Sequence, residues 1–236
     1  MTNINNQKIC VVVKSDSEEG IVESLKQIPS SVGYVEIRYD YLEEGQDLNS
    51  LKRIRKAINQ KAIFTCRLKK FGGQCIKSLD YWKSVVQMAS TAKFDYIDVD
   101  YQLTKEIDYR KFVESLDYGK IILSYHNFNE TPSFLKLKKI LKKMSGFDPE
   151  VYKIATKVSQ KGDADTLLKI LLNKKKKAKM ICLGMGRSGI KTRVLSVILG
   201  AELTFASLDK GQETADGQLN FKELSNRIGK INRLLG

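Results

Sequence analysis

A single histidine, one tryptophan, three prolines and four cysteines in 236 residues restrict this chain before any motif is sought. One histidine excludes the common zinc sites that need two. Cys10, Cys66, Cys75 and Cys182 show no C-x-x-C spacing, and three of them fall in apolar strand-like runs, so they read as reduced core thiols. No stretch approaches the ~18 to 20 apolar residues of a membrane span. The opening MTNINNQK also lacks the basic-then-apolar pattern of a secretory leader. A cytoplasmic protein without a membrane partner is therefore expected. Because no Pro/Gly/Ser-rich linker interrupts the chain, residues 1–236 are expected to form one domain.

Acidic residues are also scarce: 27 Asp and Glu stand against 41 Lys and Arg, a formal net charge of +14. The basic runs LKLKKILKKM (135–144) and NKKKKAK (173–179) raise the possibility of a nucleic-acid surface. In the first run, however, Leu135, Leu137, Ile140, Leu141 and Met144 fall on one helical stripe, with lysines on the other face. No aromatic residues interleave with the lysines to stack bases. A solvated helix face explains the run better, and no nucleic-acid partner is expected. The positive field still favours an anionic small-molecule ligand.

What the chain has in quantity is alternation. Strand-like runs at 8–13, 34–40, 62–67, 96–101, 120–126, 151–158, 179–185 and 203–208 alternate with amphipathic helical runs, the last at 221–235. Eight such units of about 30 residues match the arithmetic of a (β/α)₈ TIM barrel, an α/β fold. Within the seventh unit, Gly184, Gly186 and Gly189 spell G-x-G-x-x-G, the fingerprint of a dinucleotide-binding fold. That fold would need several further units after the fingerprint, and only one strand and one helix follow. In a barrel the same glycines make a tight turn after strand seven, where active-site loops belong.

Parallel strands covered on both faces should be almost wholly apolar, and several here are not. Glu36, Arg38 and Asp40 share one face of strand two by the period-two rule. Arg67 ends strand three, Asp98 and Asp100 lie in strand four, His126 ends strand five, and Lys153 sits in strand six. His126 is the natural acid/base group at neutral pH, although a lone buried histidine is more often structural. Lys153, desolvated and near Arg38 or Arg67, would have the lowered proton affinity of an amine that attacks a carbonyl. Lys157 shares its face, and spacing alone leaves both lysines open.

EIRYD (36–40), FTCR followed by paired glycines (64–73), SYHNF (124–128), YKIA (152–155), MGRSGIKTR (185–193) and ETADGQ (213–218) together resemble the type I 3-dehydroquinate dehydratase family. That is a family of Schiff-base-forming barrel enzymes of the shikimate pathway. The resemblance implies that Lys153 forms the imine, that His126 transfers the proton and that Glu36 orients His126. It implies further that Arg38, Arg67, Arg193 and Gln218 hold the substrate's carboxylate and hydroxyls, with Met185 lining the pocket and Thr214 on the neighbouring loop. No cofactor or metal is implied, and the family often forms homodimers. Two departures stand out. Phe71 precedes Gly72 and Gly73 where many members carry glutamate, and the segment before strand one is short. The alternatives are another Schiff-base barrel lyase or aldolase, a basic nucleic-acid-binding protein and a dinucleotide-dependent oxidoreductase.

Overall fold

The structure is a computed structural model that describes residues 6–43 and 47–235. Eight parallel strands alternate with eight helices. They are β1 (Ile9–Val13), α1 (Glu18–Lys26), β2 (Tyr34–Arg38), α2 (Leu48–Lys56), β3 (Lys61–Thr65), α3 (Leu79–Thr91), β4 (Tyr96–Asp100), α4 (Tyr109–Glu114), β5 (Lys120–Asn127), α5 (Phe134–Met144), β6 (Val151–Lys157), α6 (Asp163–Leu172), β7 (Lys179–Met185), α7 (Ile190–Ile198), β8 (Thr204–Ser207) and α8 (Phe221–Leu235). The ladder runs β7-β6-β5-β4-β3-β2-β1-β8. β7 and β8 touch at the remaining seam, which closes the TIM barrel without a named ladder between them.

Six of the helices begin on a side-chain cap that accepts a backbone N–H three residues on: Ser17, Asp47, Ser78, Asp108, Ser133 and Asn220. Each such cap stabilises its helix start by about 1 kcal/mol and fixes where the preceding loop ends. The cap at Asp108 fixes where α4 begins. Tyr101–Lys105 forms a 3-10 turn, and α4 starts only at Tyr109.

Side chains alternate along each strand between two apolar layers. Val35, Ile37, Phe64, Ile97 and Val99 point outward and pack with helix residues such as Leu51, Ile54 and Trp82. Cys10, Val12, Tyr34, Ile63, Tyr96 and Ile122 point inward and fill the lower half of the barrel. Higher along the same strands, the inward positions become polar. The apolar stripe expected on α5 is narrower than its spacing suggests: Leu137 and Met144 are buried, whereas Leu135 is 70% exposed. Leu135 lies in the first turn of α5.

The paired contacts at the end of β7 explain the glycine-rich segment. A Cβ on Gly189 would lie 2.5 Å from the carbonyl carbon and oxygen of Gly184, so neither position accepts a side chain without displacing backbone. Thr192 completes the joint, accepting from the Gly184 N–H at 2.7 Å and donating to the Gly189 carbonyl at 2.7 Å. The first turn of α7 is thus drawn onto the end of β7, which aims Arg193 inward. Gly189→Ala is expected to destabilise the protein by ~1 to 3 kcal/mol through overpacking, read as a lower urea midpoint. Gly146→Ala, whose Cβ would meet nothing within 4 Å, is the control and should stay within about 0.5 kcal/mol.

Candidate active site

The polar upper layer opens into a pocket at the carboxyl ends of the strands, where barrel enzymes carry their active sites. Lys153, His126, Glu36, Arg38, Arg67, Met185, Arg193, Thr214 and Gln218 all line this one cavity. Positions scattered over 183 residues of sequence therefore share a single space.

Lys153 stands at its floor. The third residue of β6, it is 5% exposed and donates from Nζ to Asp98 Oδ2 at 2.8 Å. Glu36 Oε1 lies 3.9 Å away, and Nζ sits 4.3 Å above the Phe205 ring. Lys157, four residues further up the strand, turns out of the barrel and pairs with Asp216 at 2.8 Å. Depth along β6 separates the two lysines that share a face. The neighbourhood of Lys153 differs from the expected one. Arg38 is held by Asp40 through two hydrogen bonds, at 2.9 and 2.7 Å, and Arg67 is bound to Asp98, so carboxylates rather than guanidinium groups adjoin the amine.

Asp98 is the centre of this network. It accepts from Lys153, from Arg67 Nη2 at 2.8 Å and from Ser124 at 2.7 Å. Burial acts to raise its pKa, but Lys153, Arg67 and His126 outweigh burial and hold the carboxyl well below the usual carboxylate range. The group is a fixed negative charge throughout the range in which an enzyme works.

His126 lies between two partners of opposite charge. Arg67 Nη1 is 2.8 Å from Nε2, and Asp100 Oδ2 is 3.1 Å from Nδ1. A guanidinium donates and never accepts, so Nε2 carries the lone pair and Nδ1–H donates to Asp100. Burial, followed by the Arg67 charge, lowers the imidazole pKa to about 4, while Asp100 opposes the shift. The ring is a neutral base at pH 7. The orienting role expected of Glu36 is corrected here: the carboxylate on His126 is Asp100. Glu36 instead accepts from Thr65 Oγ1 at 2.8 Å, and its remaining neighbour is Lys153.

Arg67 lies beyond the end of β3 rather than within the strand. Its carbonyl accepts from the Cys75 N–H at 3.1 Å, folding the loop that carries Gly72 and Gly73 back on itself. Arg193 is 2% exposed, and its Nε has no hydrogen-bond partner among the described residues. Burial lowers its pKa to about 10, with Asp216 the opposing charge, so it remains cationic at pH 7. A buried guanidinium held without a fixed partner beside a cavity suits an anionic ligand. Across the β7/β8 seam, Gln218 Oε1 accepts from the Thr214 N–H at 2.7 Å and its hydroxyl at 3.3 Å. The loop bearing them is fastened by Lys14 to the Glu213 carbonyl, by Lys157 to Asp216 and by the Gly186 N–H to the Asp216 carbonyl.

Four residues at the site were not singled out for it by sequence. Asp98 and Asp100 were visible as charges in β4 but not as partners of Lys153 and His126. Phe205 floors Lys153, and Phe128 stacks on His126 with centroids 5.9 Å apart. Phe128 also rests on Gly72, where a Cβ would meet its ring at 2.3 Å. The signal for Phe128 was its place two residues after His126.

The sequence model of type I 3-dehydroquinase matches residues 9–232. The chain belongs to that family. Among curated relatives, the 3-dehydroquinate dehydratase of Coxiella burnetii (strain Dugway 5J108-111) is 38% identical over 221 residues, covering 94% of this chain and 92% of the relative. That of Methanocaldococcus jannaschii is 31% identical, covering 92% and 95%. A type I 3-dehydroquinate dehydratase from Clostridium difficile, solved with covalently modified comenic acid, superposes with a TM-score of 0.87 at 25% identity, over 98% of this chain and 94% of the other. Orotidine 5'-phosphate decarboxylase from Pyrococcus horikoshii, at 13% identity and a TM-score of 0.60, shares the barrel alone. Among the described residues, no helix is long and apolar enough to cross a membrane.

As the family member's only histidine, His126 has an unambiguous NMR signal. Its titration midpoint is expected near the lowered value of about 4, and lower still in Asp100→Asn, which removes the group that opposes the shift. A wild-type midpoint near 6.5 would contradict the buried, Arg67-capped ring.

Proposed function

We propose that Lys153 and His126 carry out the family's hydro-lyase reaction, dehydration of 3-dehydroquinate to 3-dehydroshikimate in the shikimate pathway, through an imine. The arrangement that carries this reading is a buried amine and a neutral imidazole in one cavity ringed by Arg38, Arg67 and Arg193. The whole barrel, residues 1–236, acts as one catalytic domain, and its four buried free thiols suit a reducing cytoplasm.

The substrate's carboxylate binds Arg193, the buried cation with an unpartnered nitrogen. A substrate hydroxyl that accepts from Arg67 draws Nη1 off His126 Nε2 and exposes the lone pair. The Lys153 amine passes a proton to His126 Nε2 and adds to the ring ketone, and Nε2 returns that proton to the carbinolamine hydroxyl, which leaves as water and yields a protonated imine. Asp98 and Glu36 balance its positive charge. The imine acidifies the neighbouring C–H bond, and Nε2 takes that proton while Nδ1–H stays on Asp100. The electron pair moves into an enamine. Its return expels the hydroxyl on the next carbon, which leaves as water with the proton from Nε2. Water then hydrolyses the imine and frees both product and lysine. Positioned acid–base help of this kind contributes ~10² to 10⁴-fold.

Sodium borohydride added with 3-dehydroquinate should inactivate the enzyme by reducing the imine to a stable amine. Peptide mapping should place the adduct on Lys153, one of 32 lysines. An adduct on Lys157, or ligand-independent labelling of surface lysines, would remove Lys153 from the role. Arg193→Ala should raise KM by ~10²-fold, as loss of a charge-assisted contact worth about 1.5 to 3 kcal/mol implies, with folding intact by circular dichroism. An unchanged KM would argue against the carboxylate assignment.

A further inference from the structure

Behind the loop that carries Arg67, the structure holds a pair of thiols that the dehydration does not use. Cys66 immediately follows β3, and Cys75 returns beside it because the intervening loop folds as a tight hairpin. The Cys75 N–H donates to the Arg67 carbonyl at 3.1 Å, the Lys69 N–H donates to the Cys75 carbonyl at 2.7 Å, and the Gly73 N–H reaches the Leu68 carbonyl at 3.1 Å. The Cys66 carbonyl is held in turn by Trp82 Nε1 at 2.8 Å. Both ends of the hairpin are therefore anchored, and the two side chains face one cavity.

The two sulfurs are not equivalent. The Cys75 pKa is lowered to about 7, with the neighbouring Cys66 thiol the leading cause and the Lys77 backbone a lesser one, whereas Cys75 and burial push Cys66 well up. Both cysteines line a cavity of about 130 Å³ on the outer side of the hairpin, together with Tyr39, Asp40, Gln74 and Tyr81. The space admits a water-sized molecule. Cys10 and Cys182 differ: each is wholly buried, and burial raises the pKa of both.

We infer that Cys75 and Cys66 form a peroxide-reactive dithiol, with Cys75 the attacking sulfur and Cys66 the resolving one. The Cys75 thiolate attacks one oxygen of hydrogen peroxide and the O–O bond breaks, giving sulfenic acid at Cys75 and, with a proton, one water. The Cys66 sulfur then displaces the sulfenic oxygen, which leaves as a second water carrying the Cys66 proton, and the S–S bond forms. Overall, two thiols are oxidised to a disulfide while one peroxide is reduced to two waters. A disulfide is about 2.05 Å long, shorter than any non-bonded approach of two sulfurs. Its formation must draw the hairpin inward and move Arg67, which sits beside Cys66 and bridges Asp98 and His126. Asp40 transmits the same strain, since it accepts the Gln74 N–H at 2.9 Å while clamping Arg38.

The direct test is chemical and independent of activity: hydrogen peroxide treatment, thiol blocking and non-reducing tryptic mass spectrometry. The expected product is peptide 62–67 joined to peptide 71–77 with loss of two hydrogens, reversed by dithiothreitol. Cys66→Ser should stop at the sulfenic acid, with a dimedone adduct on Cys75. If peroxide leaves the wild-type pair unlinked, or oxidises Cys10 and Cys182 as fast, the inference fails without any variant having to fold. A second arm rests on the role assigned above to Arg67. Turnover of the oxidised enzyme should fall by ~10-fold or more, as displacing a positioned group by about 1 Å can cost up to ~10²-fold, and recover on reduction. Linkage without loss of turnover would keep the dithiol and overturn its coupling to Arg67. Cys75→Ser should retain its own untreated turnover after the same exposure.

Discussion

One buried carboxylate, Asp98, holds two cations inside the barrel, and the arrangement of the pocket depends on it. Lys153 and Arg67 both donate to Asp98, and Arg67 in turn reaches His126, so the amine and the imidazole are placed by reference to the same oxygen pair. Removing charges from water is costly unless they are paired and hydrogen-bonded. This site meets that requirement with a continuous series: Glu36, Lys153, Asp98, Arg67, His126 and Asp100. The series explains how a parallel sheet covered by helices tolerates charged residues on strands that should be apolar.

The barrel was legible because its cues are local. Alternating strand and helix periods and the absence of linkers each need only a few consecutive residues. Every strand was read to within two residues of its ends. The period-two rule also separated Glu36 and Arg38 from Val35 and Ile37. What failed was relative height between strands. Glu36 pairs with Ile63 on β3, and Ile63 with Tyr96 on β4, so along the ladder Glu36 meets β4 two residues before Asp98 and four before Asp100. On the next pairing, Asp100 is level with Ser124, two residues before His126. Register of this kind is fixed by barrel closure, which no single segment encodes. Hence Glu36 and Asp100 were indistinguishable as partners of the histidine.

The aromatic residues escaped notice for a different reason. Phe205 and Phe128 bring no titratable group, and an inward aromatic on a strand or a loop reads as core. Here one ring floors the amine and the other covers a face of the imidazole. The glycines at 184 and 189, by contrast, looked informative for a nucleotide and are informative for packing. Their close approach sets the angle at which α7 presents Arg193.

The seam between β7 and β8 gives the barrel a mechanical asymmetry. Seven strand junctions are secured by backbone ladders, whereas this one relies on packing and on the loop tied down by Lys157, Lys14 and Gly186. Arg193 stands on one side of it, Thr214 and Gln218 on the other, and the cavity reaches both. A ligand that engaged both sides, as the proposed reading has it, would bridge the one junction that no named ladder secures and add its binding energy to the closure of the ring.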